Sequence, residues 1–279
     1  MDKIINDFIK KTLSEDIGEG DVTSIACIKR NTLGTAKLIT KEKCKIAGLQ
    51  LAKKIYSYYD KKLNCEFFYN DGDHLKKNDV IFKVVGSQHS ILGTERLILN
   101  CIQRMSGIAT KTYEFTNKIK GLNTIILDTR KTCPGIRFLD KEAVRIGGGK
   151  NHRHGLYDMI MIKDNHIDFS GSIKNAIQNA HSYLKKRNKK LNIIIEARNI
   201  KELNEILNCG GITRILLDNF TIEDTKYAVK IVNKKYPLET SGNITLKNVR
   251  DYALCGVDYI SIGSLTHSVK NIDLSMLSI

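Results

Sequence analysis

Charged and polar residues stand directly after four short apolar runs in the second half of the chain. In chain order they are Asp128–Thr132, Lys163–His166, Glu196 and Asp218–Asn219. They include three cations, Arg130, Lys131 and Lys163, which can bind the carboxylates and phosphates of an anionic substrate. A single charge after a strand is usually only solvated. Four such segments in succession indicate a functional site, because solubility alone would not require all of them at the same end of their strands.

Two later segments combine small residues with polar ones. Ser241-Gly242-Asn243 follows the run PLE, and Gly263-Ser264, with His267 close behind, follows YISI. Small residues let backbone N–H groups approach an anion, and a following helix N-terminus adds partial positive charge. Each segment taken alone is typical of an ordinary turn. As a pair at the end of the series they favour a phosphate site, the position that such sites commonly occupy on α/β barrels.

Three consecutive glycines, Gly147 to Gly149, lie between the first two of these apolar runs. Glycines are costly to order, so the chain needs a close approach or a sharp bend there. His152 and Arg153 follow, and an arginine can bind a carboxylate through two parallel hydrogen bonds. The alternative is a flexible surface loop, which we disfavour because the segment leads directly into the strand before Lys163.

The elements that must position these residues are short, mainly apolar runs separated by helix-like segments. In chain order the runs are TIIL (124–127), MIMI (159–162), NIII (192–195), RILL (214–217), PLE (237–239) and YISI (259–262). Such runs predict parallel strands covered by helices and closing toward a barrel. An open doubly wound sheet has the same pattern. In either fold the carboxyl ends of the strands share one rim, so the charged segments should converge.

The chain up to about residue 108 has a different pattern. TAKLIT (35–40) and VIFKVV (80–85) predict strands, residues 48–59 predict a helix, and a longer helix is predicted over residues 93–119. We therefore expect an α/β class protein with an N-terminal α/β sandwich and linking helix (1–108), a second domain of parallel strands and helices (109–269), and a tail (270–279) that packs with the first domain.

The formal net charge is +15, which raises the possibility of nucleic-acid binding. The lysines are scattered, however, and no basic stretch is interleaved with aromatic residues, so a solvated surface is favoured and no nucleic-acid partner is expected. The seven cysteines lack metal-site or disulfide spacing. No apolar run approaches a membrane span. We expect a soluble cytoplasmic protein with reduced thiols and no membrane partner.

Several segments resemble quinolinate phosphoribosyltransferases, in the same order along the chain. They are SEDIGEGDVTS (14–24), ERLILNCIQRMSGIAT (95–110), DTRKTCPGIR (128–137), RIGGGKNHRHGLYDMIMIKDNHI (145–167), RILLDNF (214–220), ETSGNITLKNVRDYA (239–253) and GVDYISIGSLTHS (256–268). The resemblance implies an incomplete, roughly six-stranded α/β barrel with an N-terminal α/β sandwich, assembled as a homodimer. It also implies transfer of phosphoribosyl from phosphoribosyl pyrophosphate to quinolinate with decarboxylation.

The resemblance further implies roles for individual residues. The quinolinate carboxylates would be bound by Arg130, Lys131, His152, Arg153 and Lys163. Phosphate would be surrounded by Ser241, Gly242, Asn243, Gly263, Ser264 and His267. Glu196 and Asp218 would hold ribose hydroxyls and the Mg²⁺ that accompanies pyrophosphate, and Arg96 would reach the neighbouring subunit's site. Lys131, Lys163, Glu196 and Asp218 are the catalytic candidates.

One departure from the family pattern lies in the phosphate segment. Relatives commonly have a second glycine where this chain has Asn243. Asparagine accepts a positive φ better than most residues, so the position is compatible with a backbone role.

Two alternatives stay open: a sibling phosphoribosyltransferase that takes another base, such as the protein associated with molybdate transport, and a nucleic-acid-binding protein.

Overall fold

The structure is a computed structural model that describes residues 2–279. These residues form two compact units. Unit 1 comprises residues 2–111, 138–147 and 268–279, and unit 2 comprises residues 112–137 and 148–267. Across residues 2–279, no helix combines the length and apolar character that crossing a bilayer requires.

Unit 1 contains most of the N-terminal elements. They are α1 (Asp2–Ile17), α2 (Val22–Cys27), β1 (Leu33–Thr40), β2 (Cys44–Lys45), α3 (Leu49–Tyr59), β3 (Asn64–Phe67), β4 (His74–Leu75), β5 (Val80–Ser87) and the first part of α4 (Gln88–Lys118). The antiparallel sheet has the order β12-β1-β5-β3, in which β12 (Leu274–Ser278) is the last strand of the chain. The antiparallel sheet and its helices agree with the predicted α/β sandwich.

Two buried contacts hold helix α5 (Arg137–Ile146) in unit 1. Asp140, fully buried, accepts hydrogen bonds from Nε and Nη2 of Arg104, both at 2.8 Å. Phe138 packs edge-on against Phe8 with ring centroids 5.6 Å apart. The division into units therefore differs from the predicted boundaries at residues 138–147, because these long-range contacts are invisible in local sequence patterns.

Unit 2 is an alternation of strands and helices. Its elements are β6 (Ile125–Leu127), β7 (Ile160–Ile162), α6 (Asp164–Ser170), α7 (Ile173–Lys186), β8 (Ile193–Ala197), α8 (Ile200–Cys209), β9 (Arg214–Asp218), α9 (Ile222–Val232), β10 (Leu238–Ser241), α10 (Val249–Leu254), β11 (Tyr259–Ser261) and α11 (Ser264–His267). All six predicted strands are present. They form one parallel sheet with the order β6-β11-β10-β9-β8-β7.

The edge strands β6 and β7 do not pair with each other anywhere in residues 2–279. The sheet is thus an incomplete barrel of six strands, as predicted. Beyond β6 the chain contributes one further parallel bridge, between Leu127 and Lys150. All five residues of β8 are buried, which explains why its sequence is apolar without alternation.

Short polar side chains cap helices α7 and α8 of unit 2 and so fix where each of these helices begins. Ser172 accepts from the N–H of Asn175 at the start of α7, and Asn199 accepts from that of Glu202 at the start of α8. Each cap satisfies a backbone donor that the first helical turn leaves unpaired.

Candidate functional site

A cavity of about 670 Å³ lies at the carboxyl ends of the parallel strands in unit 2. Every strand of the sheet contributes to it, either by a residue of the strand itself or by the loop that follows. The lining residues are Thr129, Arg130, Lys131, His152, Arg153, Met161, Lys163, Glu196, Leu216, Asp218, Asn219, Glu239, Ser241, Gly242, Asn243, Ile244, Ser261, Ile262, Gly263, Ser264 and His267. The volume falls in the range of small-molecule sites.

The lining brings together nearly all of the residues that the sequence nominated. The cations Arg130, Lys131, Arg153 and Lys163 share the cavity with Glu196 and Asp218, and with both small-residue loops. Arg96 is the exception: it is an exposed residue of α4, and the lining does not include it. Its predicted role in a neighbouring subunit's site stays a prediction.

Lys163 and Glu196 form the one ion pair on the cavity wall in which both members were predicted. The Nζ of Lys163 donates to Oε1 of Glu196 at 2.7 Å, and the glutamate is 6% exposed. Burial raises the pKa of Glu196 above its ordinary value, an effect that Lys163 opposes and that the negative charge of Asp218 reinforces. The carboxylates of Glu196 and Asp218 thus line the same cavity, and of the two only Glu196 is paired with a lysine within residues 2–279.

Three other cations of the cavity, Arg130, Lys131 and Arg153, form no salt bridge with any carboxylate in residues 2–279. The Nε of Arg130 is buried and has no hydrogen-bond partner among those residues. Burial lowers the pKa of the Arg153 guanidinium, and the charge of Arg130 lowers it further. Clustered cations without counter-charges favour binding of an anion.

A buried network on β10 and β11 lies beneath these cations. Glu239, which is fully buried, accepts from Nη1 of Arg214 at 2.8 Å and from the hydroxyl of Ser261. Its Oε2 lies 3.4 Å from Nε2 of His152. Burial alone would raise the pKa of Glu239, but the nearby His152 imidazole and the hydrogen bonds from Ser261 and Arg214 hold it below its ordinary value. Glu239 is therefore a buried carboxylate whose two oxygens accept hydrogen bonds from Arg214 and Ser261.

The loop after β10 is shaped by close backbone approach. Gly242 has φ +95°, and a Cβ there would lie 2.0 Å from Oδ1 of Asn219 and 3.0 Å from its Cα. Asn243 has φ 52°, so it adopts the positive φ that the sequence argument allowed. The hydroxyl of Ser241 donates to Oδ1 of Asp218 at 2.8 Å, joining this loop to the end of β9.

The loop after β11 packs against the loop after β6. A Cβ at Gly263 would lie 3.1 Å from Cδ of Lys131 and 3.2 Å from Cδ2 of His267. The hydroxyl of Thr266 donates to the carbonyl oxygen of Lys131 at 2.8 Å. Residues more than 130 positions apart are thus linked, and any side chain at position 263 would press on Lys131.

The glycine run and the segment after it form a bend, as the sequence predicted. Gly148 has φ +95°, and Lys150 then pairs with Leu127. Asp158 ties the segment down by accepting from the N–H groups of His154 and Gly155 at 2.6 and 3.0 Å. His152 and Arg153 are buried rather than displayed on a mobile loop.

Sequence reasoning missed Glu239, Ser261 and Arg214 as parts of the site, whereas Asp128 belongs to the first of the predicted charged segments. The first two line the cavity, whereas Asp128 and Arg214 contact its lining residues from outside it. A signal was present, since Glu239 is a charge within a strand that is otherwise buried.

Glu196 and Asp218 are the residues that fit a magnesium ion carried by a phosphorylated substrate. Within residues 2–279, no group of three or more His, Cys, Asp or Glu side chains is placed to hold a metal. Mg²⁺ commonly takes only one or two carboxylates plus substrate phosphates and water, and the repulsion that Asp218 exerts on Glu196 is what a shared cation would relieve.

Comparison with known proteins matches both parts of the chain to one family. Residues 108–277 match the family described as quinolinate phosphoribosyl transferase, C-terminal domain, and residues 21–106 match the corresponding N-terminal domain. A quinolinate phosphoribosyltransferase [decarboxylating] 2b, mitochondrial, of Nicotiana tabacum is 42% identical over 98% of this chain and 81% of its own length. A probable nicotinate-nucleotide pyrophosphorylase [carboxylating] of Bacillus subtilis is 40% identical over 99% and 92%.

Solved structures agree with the sequence comparison. The nicotinate-nucleotide pyrophosphorylase of Francisella tularensis is 38% identical and superposes with a TM-score of 0.92, covering 100% of this chain and 97% of its own. That of Ehrlichia chaffeensis is 39% identical with a TM-score of 0.91, covering 98% of both chains. With the family matches over both domains and these relatives over nearly full length, the chain belongs to the quinolinate phosphoribosyltransferase family.

Proposed function

We infer that this chain transfers the phosphoribosyl group of phosphoribosyl pyrophosphate to quinolinate and releases CO2, giving nicotinate mononucleotide for NAD biosynthesis. The observation that carries the inference is the cavity of unit 2, in which Arg130, Lys131 and Arg153 have no carboxylate partners among residues 2–279. Quinolinate brings two carboxylates and its co-substrate brings several phosphate charges. A cavity with spare positive charge offsets the repulsion between two such anions.

The two substrates fit opposite parts of the lining. Arg130, Arg153 and the two cavity lysines suit the pyridine dicarboxylate, because arginine binds carboxylates through paired hydrogen bonds. The loops 241–243 and 263–264 suit phosphate, because their small residues leave backbone N–H groups accessible. This arrangement would bring the pyridine nitrogen toward the ribose.

In the reaction, the ring nitrogen forms a bond to C1 of the ribose while the C1–oxygen bond to pyrophosphate breaks. The nitrogen becomes cationic and so stabilises the electron pair that remains on the ring carbon when CO2 departs, and that carbon then takes up a proton. Positioning and electrostatic stabilisation would supply most of the rate acceleration, since the protein's charges are fixed before the substrates arrive.

We propose that Mg²⁺ accompanies the pyrophosphate and that Glu196 and Asp218 hold it together with the ribose hydroxyls. The ion would neutralise charge that accumulates on the leaving group. With a metal bound by Glu196, Lys163 would be able to bind a substrate carboxylate instead. Chelation with EDTA should abolish turnover and Mg²⁺ should restore it. Glu196→Gln and Asp218→Asn should each raise the Mg²⁺ concentration needed for half-maximal rate.

The test of function is incubation with quinolinate, phosphoribosyl pyrophosphate and Mg²⁺, following CO2 and nicotinate mononucleotide together. Equimolar formation of both products is expected, and neither should form when one substrate is omitted. Nicotinate and other bases serve as matched alternatives. Turnover of another base with none of quinolinate would instead favour a sibling phosphoribosyltransferase.

We further propose a homodimer with shared active sites, in which Arg96 serves the neighbouring cavity. Arg96 is exposed on α4, where it is available to another chain. Arg96→Ala and Lys131→Ala chains should each be inactive, and mixing them should restore part of the activity by forming one intact site per heterodimer. Sedimentation should show the heterodimer. Verified heterodimers without activity would contradict a shared site.

The remaining proposals concern what the protein does not bind and where it works. We propose that the +15 charge serves the anionic substrates and not nucleic acid. Any RNA or DNA binding should then be weak at physiological salt and be displaced by phosphoribosyl pyrophosphate. A cytoplasmic location stays a prediction that cell fractionation would test.

A further inference from the structure

His152 lines the cavity, yet both of its ring nitrogens face protein groups. Its Nδ1 accepts the backbone N–H of Arg153 at 2.7 Å. Its Nε2 lies 3.4 Å from Oε2 of Glu239. Its own backbone N–H donates to Oδ1 of Asp128, a fully buried carboxylate, at 2.8 Å. His152 is therefore held by two hydrogen bonds of the fold, with Nε2 facing Glu239.

The hydrogen bond from Arg153 shows which ring nitrogen of the imidazole carries the proton. A nitrogen that accepts an N–H must present a lone pair, so Nδ1 is unprotonated. The proton of the neutral ring is then on Nε2, where it faces Glu239. A carboxylate is an acceptor only and therefore favours this tautomer over the one with the proton on Nδ1.

Glu239 is itself rigidly held, so it can impose this orientation. Arg214 and Ser261 donate to its two oxygens, and the guanidinium of Arg214 stacks over the ring of Tyr259, 3.8 Å from the centroid. The carboxylate is fully buried in the β10–β11 region of the sheet. Its donors and its burial leave it little freedom to turn away from His152.

We propose that Glu239 is a positioning residue that fixes His152 in the Nε2–H tautomer and, through the Nδ1 bond to the Arg153 backbone, aims Arg153 at a carboxylate of the pyridine substrate. This role deepens the proposed function and rests on it. His152 then acts on substrate binding indirectly, which differs from the direct grip that the family resemblance implies. The direct contacts fall to Arg153 and Arg130, whose guanidinium groups have no carboxylate partner in residues 2–279.

The first test observes the tautomer directly. In protein labelled with ¹⁵N-histidine, the His152 ring should show an unprotonated Nδ1 and a protonated Nε2 near pH 8, with assignment from the spectrum of a His152→Gln variant. Glu239→Gln should shift His152 toward a mixture of tautomers, because an amide can donate as well as accept. Protonated Nδ1 in the unaltered protein would overturn the proposal.

The second test measures equilibrium affinity by calorimetry, one substrate at a time. Glu239→Gln should weaken quinolinate binding by about 10- to 100-fold, the usual effect of losing an orienting partner. Phosphoribosyl pyrophosphate affinity should change by less than about threefold, since Arg153 is assigned to the pyridine substrate. Equal weakening of both substrates would mean a merely structural role and overturn the proposal, as would unchanged quinolinate affinity.

A second variant keeps the proposal testable where Glu239→Gln fails to fold. Ser261→Ala removes one donor to Glu239 and keeps the carboxylate, so it should give a smaller loss of quinolinate affinity in the same direction. If the unaltered protein binds no quinolinate, the proposed function fails. If it binds quinolinate and neither variant weakens that binding, the positioning role alone fails.

Discussion

Two buried charge clusters in this protein are built from the same residue types and end in different states. In unit 1, both oxygens of Asp140 accept from one guanidinium, that of Arg104, at 2.8 Å. In the cavity of unit 2, Glu196 meets Lys163 at 2.7 Å, while Arg130 and Arg153 have no carboxylate partner in residues 2–279. In the first cluster the acidic and basic side chains are paired with each other. In the second, two arginines within residues 2–279 have no carboxylate partner.

The difference teaches how to separate structural charges from functional ones. A satisfied buried pair contributes to stability chiefly because removing one member leaves the other desolvated and alone. An unsatisfied cluster costs free energy in the empty protein and recovers it when an anion binds. Substitutions in unit 1 should therefore lower stability, and substitutions in the cavity should lower activity with little loss of stability.

The largest expected effect is on catalysis. Lys163→Ala and Lys131→Ala should each lower kcat/KM for quinolinate by about 10³-fold, or about 4 kcal/mol, as expected when a fixed charge at the reacting centre is lost. Steady-state kinetics measures this, and the thermal midpoint should stay within about 2 °C because neither lysine is buried. Near-normal kinetics in both variants would remove these lysines from the site.

The next largest effect is a loss of stability, and we expect it for substitutions in unit 1 and not for those in the cavity. Asp140→Ala should lower the free energy of unfolding by about 3 kcal/mol, because the Arg104 guanidinium loses both of its carboxylate bonds. Denaturation in urea followed by circular dichroism would show it. The matched control is Asp140→Leu with Arg104→Met, which should recover much of the loss. A stable Asp140→Ala protein without activity would reverse the comparison.

A smaller effect concerns the phosphate loop. Gly242→Ala should raise KM for phosphoribosyl pyrophosphate by about 10- to 30-fold, because the new Cβ would meet Asn219 and the positive φ would be strained by about 1–3 kcal/mol. Asn243→Gly is the control: it keeps the positive φ accessible and should change KM by less than about threefold. Similar KM values for the two variants would contradict the assignment of this loop.

The smallest expected effect is a difference between the two clusters in how the stability of their variants depends on pH. The pKa of Glu196 is raised above 4.5 in the folded chain, so its contribution to stability is present below that value and is lost as pH rises through the folded value. Glu196→Gln should therefore be more stable than the unaltered protein at pH 8, by less than about 1 kcal/mol because half-exposed Lys163 offsets part of the penalty. The gain should vanish toward pH 4.

Asp140→Asn is the matched control for this pH comparison. It removes the charge from a satisfied pair, so it should be destabilising at pH 8. Thermal unfolding of both variants across pH 4 to 8 gives the comparison. A Glu196→Gln protein less stable than the unaltered one at pH 8 would show that the cavity charges are satisfied in the empty protein.

The sequence determined the repeating part of the structure. Six apolar runs, such as NIII before Glu196, predicted six parallel strands, because a strand buried on both faces must be apolar throughout. Topology then required the residues after those strands to share a rim. For the same reason the loops of Gly242 and Gly263 were predicted to share one phosphate site, although they are far apart in sequence. Both glycines line the same cavity.

Only the tertiary structure decided which charges are satisfied. Asp140 and Arg104 are 36 positions apart, and Glu239 meets Arg214 from another strand and His152 from a loop. Local sequence encodes periodicity and turn chemistry, which act over a few residues. Ion pairing depends on distances of about 3 Å between distant segments, so it exists only once packing has set those distances.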